Sequence, residues 1–360
     1  MAGPLEGFKI VEFEGIGPAP YCGMLLADLG ASVVRVARPA VNRGPLIDHS
    51  GDEPIDRGRR FITLDLKSPE GLSGARALVG AADGLIEGLR PGVMERLGLG
   101  PDECLALNPR LVFCRITGWG QEGPWASTAG HDLTYIALSG ALAAMGEPGK
   151  PPVPPLNLVG DYGGGGLFAA FGLLAALLSA QRSGVGQVVD SAMLDGASSQ
   201  MTMLYGQVAA GRWALDRGQN LLDGSAPFYR CYGCADGRYL AVAAIEPQFF
   251  RALMDGLGLD ADAWDQADRS SWPICTDAIA EVIVTKTRDE WAEIFSGTDA
   301  CVAPVLSMAE APKHPHNTAR QTFIAGPDQP APAPRFSVTP GRVDPPGTGD
   351  LQTILGDWQR

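Results

Sequence analysis

Short apolar runs and amphipathic stretches alternate along the first third of the chain. Buried strands are predicted at FKIVEF (8–13), SVVRVARP (32–39), FITLDL (61–66), DGLIEG (83–88) and LVFCRITGWG (111–120). The segment between the first two runs is helical in pattern and ends at Gly30, which suits a helix C-terminus. Ser68-Pro69-Glu70 carries an N-cap residue, a proline for the first turn and an acid. Strands that alternate with helices predict a mostly parallel sheet covered on both faces.

The alternation of strands and helices ends after residue 186, where the pattern predicts a long connecting strand and helix. A strand YLAVAAI (239–245) and helices PQFFRALMDGLG (247–258) and RDEWAEIF (288–295) then predict a second unit. The fold class predicted is α/β, with a large Rossmann-like doubly wound domain and a small α+β domain. The expected boundaries are a large domain at 1–186, a linker at 187–225, the small domain at 226–310 and a returning C-terminal segment at 311–360. The tail after Pro327 is rich in proline, so we expect it to wrap over the protein rather than form core.

Charge and composition narrow the classes of partner. With 28 basic and 41 acidic residues the formal net charge is −13, which disfavours nucleic acid and anionic membranes. An anionic ligand would therefore need a local cluster of arginines. The apolar run GGGGLFAAFGLLAALLSA (163–180) predicts a buried core helix rather than a membrane span. The seven scattered cysteines and an N-terminus without a signal-peptide pattern predict a soluble, cytoplasmic protein with reduced thiols.

Basic residues collect near the predicted strand ends. GIGPAP (15–20) resembles a dinucleotide fingerprint but is a poor one, because Pro18 removes an N–H group and Pro20 replaces the third glycine. The second strand ends in arginines rather than an acid, which argues against NAD. Arg35 and Arg38 end the second strand and would suit NADP, the 3′-phosphate of coenzyme A, or only solvent. Further candidates for binding a phosphorylated ligand are Arg57, Arg59, Arg60, Lys67, Arg90 and Arg96.

Three titratable residues stand where an element begins. His131 begins a helical pattern, where a neutral imidazole is favoured and free N–H groups could receive an oxyanion. Asp161 precedes the long apolar helix and is followed by four glycines, whose expected use is to let another group approach the backbone. Each could also be an ordinary capping residue. Glu246 reads as a helix-start acid, and beside a histidine it would orient the ring.

Taken together, the chain resembles the alpha-methylacyl-CoA racemases, a branch of the family III CoA-transferase superfamily. The motifs run in the same order along nearly the whole chain. They are GIGPAPYCGMLLADLGASVVRVARP, RGRRFITLDLK, LIEGLRPGVMERLGLGP, ITGWGQEGPWASTAGHDLTYIALSGAL, NLVGDYGGGG, QVVDSAMLDG, LLDGSAPFY, YLAVAAIEPQF and GTDACVAPVL.

The resemblance implies a function and roles for particular residues. It implies that His131 and Asp161 face opposite sides of C2 of a 2-methylacyl-CoA, and that Glu246 hydrogen-bonds His131. The backbone N–H of Asp132 would stabilise the enolate oxygen. Positions implied for binding the acyl-CoA are Arg38, Lys67, Arg90, Arg96, Gly130 and Tyr135. An interlocked homodimer is implied, with each site between the large domain of one subunit and the small domain of the other. No cofactor or metal is expected, because the thioester itself makes the proton on the neighbouring carbon, C2, acidic.

Two other functions are compatible with the same residues. A family III CoA-transferase would use Asp161 as a nucleophile and would need no proton carrier at His131. A non-catalytic acyl-CoA-binding protein would tolerate the loss of either residue. The chain also departs from the pattern expected of close relatives, APFYD followed by a Tyr-Glu step. It has APFYRCYGC instead, with Arg230, Cys231 and Gly233. This departure bears on the acyl chain that is preferred more than on the reaction.

Overall fold

The computed structural model of the protein describes residues 3–39, 54–324 and 329–359. The chain divides into two compact units. The larger unit comprises Met1–Ala141, Pro155–Thr202 and Phe323–Arg360, and the smaller unit comprises Leu142–Pro154 and Met203–Thr322.

A parallel sheet of seven strands forms the centre of the larger unit. Its strands are β1 (Lys9–Phe13), β2 (Ser32–Ala37), β3 (Arg59–Thr63), β4 (Gly84–Glu87), β5 (Val112–Thr117), β6 (Gln187–Ala192) and β12 (Gly347–Thr348). Their order across the sheet is β12-β3-β2-β1-β4-β5-β6. The five strands predicted first from the apolar runs are confirmed, with small shifts at their ends. The predicted connection after residue 186 begins as strand β6, which pairs with β5 in this sheet.

Helices cover both faces of the large sheet. They are α1 (Pro18–Asp28), α2 (Pro69–Ala81), α3 (Val93–Arg96), α4 (Pro101–Leu107), α5 (Asp132–Leu138), α6 (Phe168–Ser183), α7 (Met193–Gln200) and α13 (Leu351–Gln359). Neighbouring residues on one strand enter opposite cores: Val11 packs in the cluster that includes α2 side chains, and Ile10 packs with α1 and α6. Strands buried on both faces need continuous apolar runs, which explains why the sequence shows no alternation there.

Helix α6 is preceded by a π-helix, Leu158–Leu167, and the two run on as one long segment. By length and composition Leu158–Ser183 is the one described segment able to cross a membrane, and half of its apolar window is buried in the protein. Its buried side chains include Leu173, Ala176 and Leu177, which pack on the sheet. These contacts agree with the predicted core helix.

The C-terminal tail contributes to the core of the larger unit. Strand β12 pairs with β3, and α13 places Ile354 and Trp358 in the cluster shared with α2. The prediction that the tail would not form core is therefore wrong. The proline-rich composition of the tail obscured the apolar spacing within the nine residues of α13. A short antiparallel pair, β10 (Phe323–Ile324) with β11 (Gln329–Pro330), begins the returning segment.

The smaller unit contains an antiparallel sheet of three strands packed against helices, as the α+β prediction requires. The strands are β7 (Tyr229–Gly233), β8 (Tyr239–Ala243) and β9 (Val302–Pro304). The helices are α8 (Thr202–Ala209), which begins at the border of the units, α9 (Pro247–Leu257), α10 (Trp272–Ile283), α11 (Arg288–Ile294) and α12 (Pro315–Arg320). Phe228, Trp272 and Trp291 lie in a separate apolar core beneath this sheet.

Candidate active site

A cavity of about 280 Å³ lies in the larger unit where the order of the strands reverses. Successive strands go outward from β1 to β3 in one direction and from β4 to β6 in the other, and ligands of such sheets bind at this switch point. The cavity is lined by residues that follow the carboxyl ends of four strands. They include Gly17 and Pro18 after β1, Gly88 and Arg90 after β4, Gly118 and Trp119 after β5, and Met193 after β6.

His131 lines this cavity and occupies the N-cap position of α5. The Thr134 hydroxyl fixes its backbone, because it accepts the His131 N–H at 3.1 Å and donates to the His131 carbonyl at 2.7 Å. The imidazole is exposed and therefore open to a ligand. The first N–H groups of α5, beginning with Asp132, have no acceptor within their own helix and form a potential oxyanion site.

Asp161 lines the same cavity from the π-helix. Asp161 is not an ordinary helix N-cap residue, because Asn157 occupies the N-cap position of the π-helix and Asp161 lies inside its first turn. Burial raises the pKa of Asp161 to about 6, helped by the negative charge of Asp132 and opposed by a hydrogen bond from Asn157 and the charge of His131. A carboxyl group with this pKa can both accept and return a proton near neutral pH.

The glycines around Asp161 are required by close packing, as the sequence predicts. A Cβ on Gly17 would lie 2.9 Å from Asp161 Oδ2. A Cβ on Gly165 would lie 2.8 Å from Pro18 of α1, and one on Gly166 would lie 2.8 Å from the Pro18 carbonyl. The π-helix is thus pressed against the loop that follows β1, which fixes the Asp161 backbone.

Gly164 offers the sharpest test of this packing. A Cβ there would lie 2.7 Å from the Ala197 nitrogen and 2.8 Å from the Met193 oxygen, both in the backbone of α7. We expect Gly164→Ala to destabilise the protein by about 1–3 kcal/mol, because backbone must move. Urea denaturation measures this. Gly206→Ala is the control, since no atom lies within 4 Å of its Cβ and alanine favours the α8 helix. Equal stability of the two variants would contradict the prediction.

Tyr135 is held against the cavity by two glycines. A Cβ on Gly118 would lie 2.1 Å from its ring, and one on Gly130 would lie 2.5 Å from it. The ring also makes an edge contact with Trp119, with centroids 4.7 Å apart. Burial raises the pKa of Tyr135, with Asp161 contributing through its charge, so the hydroxyl keeps its proton. Gly130 and Tyr135 therefore both line the cavity that His131 and Asp161 line, and their role in binding an acyl-CoA stays a prediction.

The candidate cations separate into two groups. Arg90 lines the cavity and is exposed. Arg38, Lys67 and Arg96 are exposed but do not line it, and Arg38 lies 3.7 Å from the Glu14 carboxylate. Their role in binding stays a prediction.

Three other arginines proposed as phosphate ligands are committed to buried ion pairs. Arg35 lies 2.6 Å from Asp56, Arg57 lies 2.6 Å from Asp28, and Arg59 lies 2.7 Å from Glu12. All three are buried. Their interpretation as ligands is therefore wrong, because each guanidinium already neutralises an acid inside the fold. Arg60 pairs with Asp357 at 2.7 Å near the surface.

Glu246 lies in the smaller unit, exposed at the N-cap position of α9, and its side chain makes no capping hydrogen bond there. Arg230 and Cys231 line a larger cavity of this unit, about 1130 Å³ in volume. The Arg230 guanidinium lies over the Tyr232 ring at 5.4 Å. This cavity holds acids and arginines but no histidine, so it lacks the pair of proton carriers found in the larger unit.

Sequence reasoning missed two side chains that act on Asp161, those of Asn157 and Asp132, the second of which it named only for its backbone N–H. Asn157 precedes it by four residues, so both lie on one helical face, a spacing visible in the sequence. The Asp132 side chain accepts the Asp161 N–H at 2.6 Å. Its only signal was an acid directly after the histidine at the start of a helix.

Comparison with known proteins identifies the family of the chain. The profile of CoA-transferase family III matches residues 5–349. The chain is 46% identical to the alpha-methylacyl-CoA racemase of Mus musculus over 340 residues, covering 93% of this chain and 87% of the relative. The Homo sapiens alpha-methylacyl-CoA racemase is 45% identical with the same coverage.

A solved structure extends the likeness to the whole fold. The crystal structure of a CAIB/BAIF family protein from Brucella suis superposes with a TM-score of 0.83 at 28% identity, covering 99% of this chain and 100% of that chain. The resemblance drawn from the motifs is thereby confirmed. The chain belongs to CoA-transferase family III.

Proposed function

We propose that this protein is a racemase that interconverts (2R)- and (2S)-2-methylacyl-CoA by proton transfer at C2. The observation that carries the proposal is that His131 and Asp161 line one cavity at the switch point of the sheet. The relatives from Mus musculus and Homo sapiens are named alpha-methylacyl-CoA racemase, which supports the same reaction.

The chemistry needs two proton carriers and one oxyanion site. One carrier takes the C2 proton, and the electron pair of the C–H bond moves into the thioester to give an enolate. The second carrier then gives its proton to the opposite face of C2, so the thioester is restored with inverted configuration. The N–H of Asp132 at the start of α5 would donate to the enolate oxygen. Electrons balance without a redox cofactor, and we propose that none is used.

The raised pKa of Asp161 suits this exchange. Inversion requires one proton shared between the carriers, on His131 in one direction and on Asp161 in the other. Ordinary aspartate and histidine side chains differ in pKa by about 2.6 units, which would leave the proton almost always on the imidazole. A pKa of about 6 for Asp161 lowers the free energy needed to place the proton on its carboxyl group.

The pH dependence follows from the same pair. We expect kcat/KM to fall on the acid side with an apparent pKa near 6, because protonating Asp161 places a proton on both carriers. Activity therefore rises as the pH rises through that value. The two epimers have nearly equal free energies, so both should give the same profile. Initial rates across pH, followed by chiral chromatography, measure it. An acid limb near the ordinary aspartate range, about 4, would contradict it.

The acyl-CoA would be bound by cations and small residues around the cavity. We propose that Arg90, at the cavity wall, binds the nucleotide together with Arg38, Lys67 and Arg96, against the negative charge of the whole chain. Gly130 and Tyr135 would contact the thioester end. We further propose a cytoplasmic location and a part in lipid metabolism. We propose that the protein neither binds nucleic acid nor inserts into a membrane.

We also propose that the active protein is a homodimer in which Glu246 of one subunit orients His131 of the other. The Glu246 side chain is exposed and makes no capping hydrogen bond to α9, which supports this role. One face of the long segment exposes Leu167, Phe171 and Leu178, the second of them to 72%, which suits a protein interface. A monomer in sedimentation velocity at assay concentration would contradict the dimer.

The experiment that tests the function separates it from CoA transfer. A single epimer of a 2-methylacyl-CoA is incubated in deuterated water, with and without an acceptor carboxylic acid. Deuterium at C2 with loss of configuration supports the racemase. CoA on the acceptor, without deuterium at C2, would replace it by a transferase in which Asp161 attacks the thioester. Binding without either product would leave an acyl-CoA-binding protein.

A further inference from the structure

The Asp132 carboxylate has an unusual environment for a buried acid. The residue is 7% exposed, and its Oδ2 accepts the backbone N–H of Asp161 at 2.6 Å. Its Oδ1 is buried and has no hydrogen-bond partner within the described ranges. No ion pair to it is found there either, unlike the buried acids Glu12, Asp28 and Asp56. A buried carboxylate without a cation is costly and calls for an explanation.

The position of Asp132 links the two elements that carry the proposed proton carriers. It follows His131 directly in α5, and its Oδ2 binds the π-helix at Asp161. The π-helix is pressed onto it, because a Cβ on Gly160 would lie 2.6 Å from the same oxygen. One side chain therefore fixes the distance between the start of α5 and the start of the π-helix.

We propose that the Asp132 carboxylate is a positioning residue that holds Asp161 in place relative to His131 and keeps a second negative charge beside it. This role is separate from that of its backbone N–H, and it rests on the proposed racemase function. The charge of Asp132 disfavours ionisation of Asp161, which adds to the effect of burial.

Among the described residues, few other charged groups compete with the effect of Asp132 on Asp161. His131 acts in the opposite direction from α5, and Arg90 and Tyr135 line the cavity. Helix α1 presents Tyr21, which stacks on Tyr162 of the π-helix with centroids 4.3 Å apart. The acid of α7, Asp195, is exposed. Asn157 donates to the Asp161 carboxylate and is the neighbour that opposes Asp132 without carrying charge.

Two substitutions at Asp132 separate charge from position. Asp132→Asn keeps an oxygen to accept the Asp161 N–H but removes the charge, so the acid limb of kcat/KM should move to lower pH. Asp132→Ala removes the hydrogen bond as well, and kcat at the optimum should fall by roughly 10²-fold because the carrier is misplaced. Asn157→Ala removes the opposing donor and should move the acid limb to higher pH.

Opposite shifts from two neighbours cannot arise from general structural damage. The proposal is overturned when Asp132→Asn leaves the acid limb at the wild-type pH, or when both variants shift it in the same direction. Carbon-13 NMR of labelled aspartates reports the titration of Asp161 without any turnover. The wild-type protein could incorporate no deuterium at C2 while Asp132→Asn still lowered the pKa of Asp161. In that case the racemase function would fail and the positioning role would survive.

Discussion

Asp161→Asn and His131→Gln are each expected to reduce inversion at C2 by roughly 10²–10⁴-fold, the usual contribution of a positioned acid or base. Both residues line the cavity, and neither replacement can carry the proton. Chiral chromatography of a single 2-methylacyl-CoA epimer measures the loss. Binding of CoA, measured by calorimetry, should change little, because neither side chain is proposed to hold the nucleotide.

Hydrogen exchange makes this prediction sharper than loss of activity alone. A variant with one carrier left can still remove and return the C2 proton on its own face. We therefore expect His131→Gln to exchange deuterium into one epimer without inversion, and Asp161→Asn to exchange into the other. His316→Gln, at an exposed histidine of α12, should exchange and invert both. A variant of either carrier that exchanges both epimers would show that the two groups do not face C2 from opposite sides.

The fold could be predicted closely because its strands are buried on both faces. Runs such as FKIVEF need no partner information to be recognised, and Ser68 does cap α2, accepting the Gly71 N–H at 3.0 Å. The glycines after Asp161 were also predicted to serve a close approach, which their contacts with α1 and α7 confirm. The π-helical form itself was not predictable, because its hydrogen-bond register depends on those same tertiary contacts.

The arginines show where sequence reasoning reached its limit. Arg35, Arg57 and Arg59 had the same local pattern as Arg90, yet only Arg90 lines the cavity. The acidic partner first named for each lies 21 to 47 residues away along the chain, while the second partner of Arg59, Asp56, is three residues away. The distant pairs follow from the order of the strands. One signal was present: Glu12 interrupts a central apolar run, and burying an acid is costly unless a cation pairs with it.

The buried ion network predicts the largest effect on stability. Arg59 is fully buried, and its Nη1 lies 2.8 and 2.7 Å from the two Glu12 oxygens. Its Nη2 donates to Asp56 at 2.8 Å and to the Ile55 carbonyl. Arg59→Met removes these donors and leaves Glu12, which is 0% exposed, with only the more distant Arg35 at 3.5 Å. We expect the free energy of unfolding to fall by about 3–5 kcal/mol.

Arg60→Met provides a matched control in the same strand. Arg60 pairs with Asp357 at a similar distance, 2.7 Å, but the two side chains are 29% and 39% exposed, so the loss should be about 0–1 kcal/mol. Urea denaturation compares the midpoints of the two variants. The double variant Glu12→Gln, Arg59→Met removes the stranded charge and should recover part of the loss. The recovery is the decisive quantity, because a cost due only to lost packing of the long arginine side chain would persist unchanged in the double variant. If the Arg59→Met variant were as stable as the Arg60→Met variant, burial of this ion network would contribute nothing to holding β1 and β3 together.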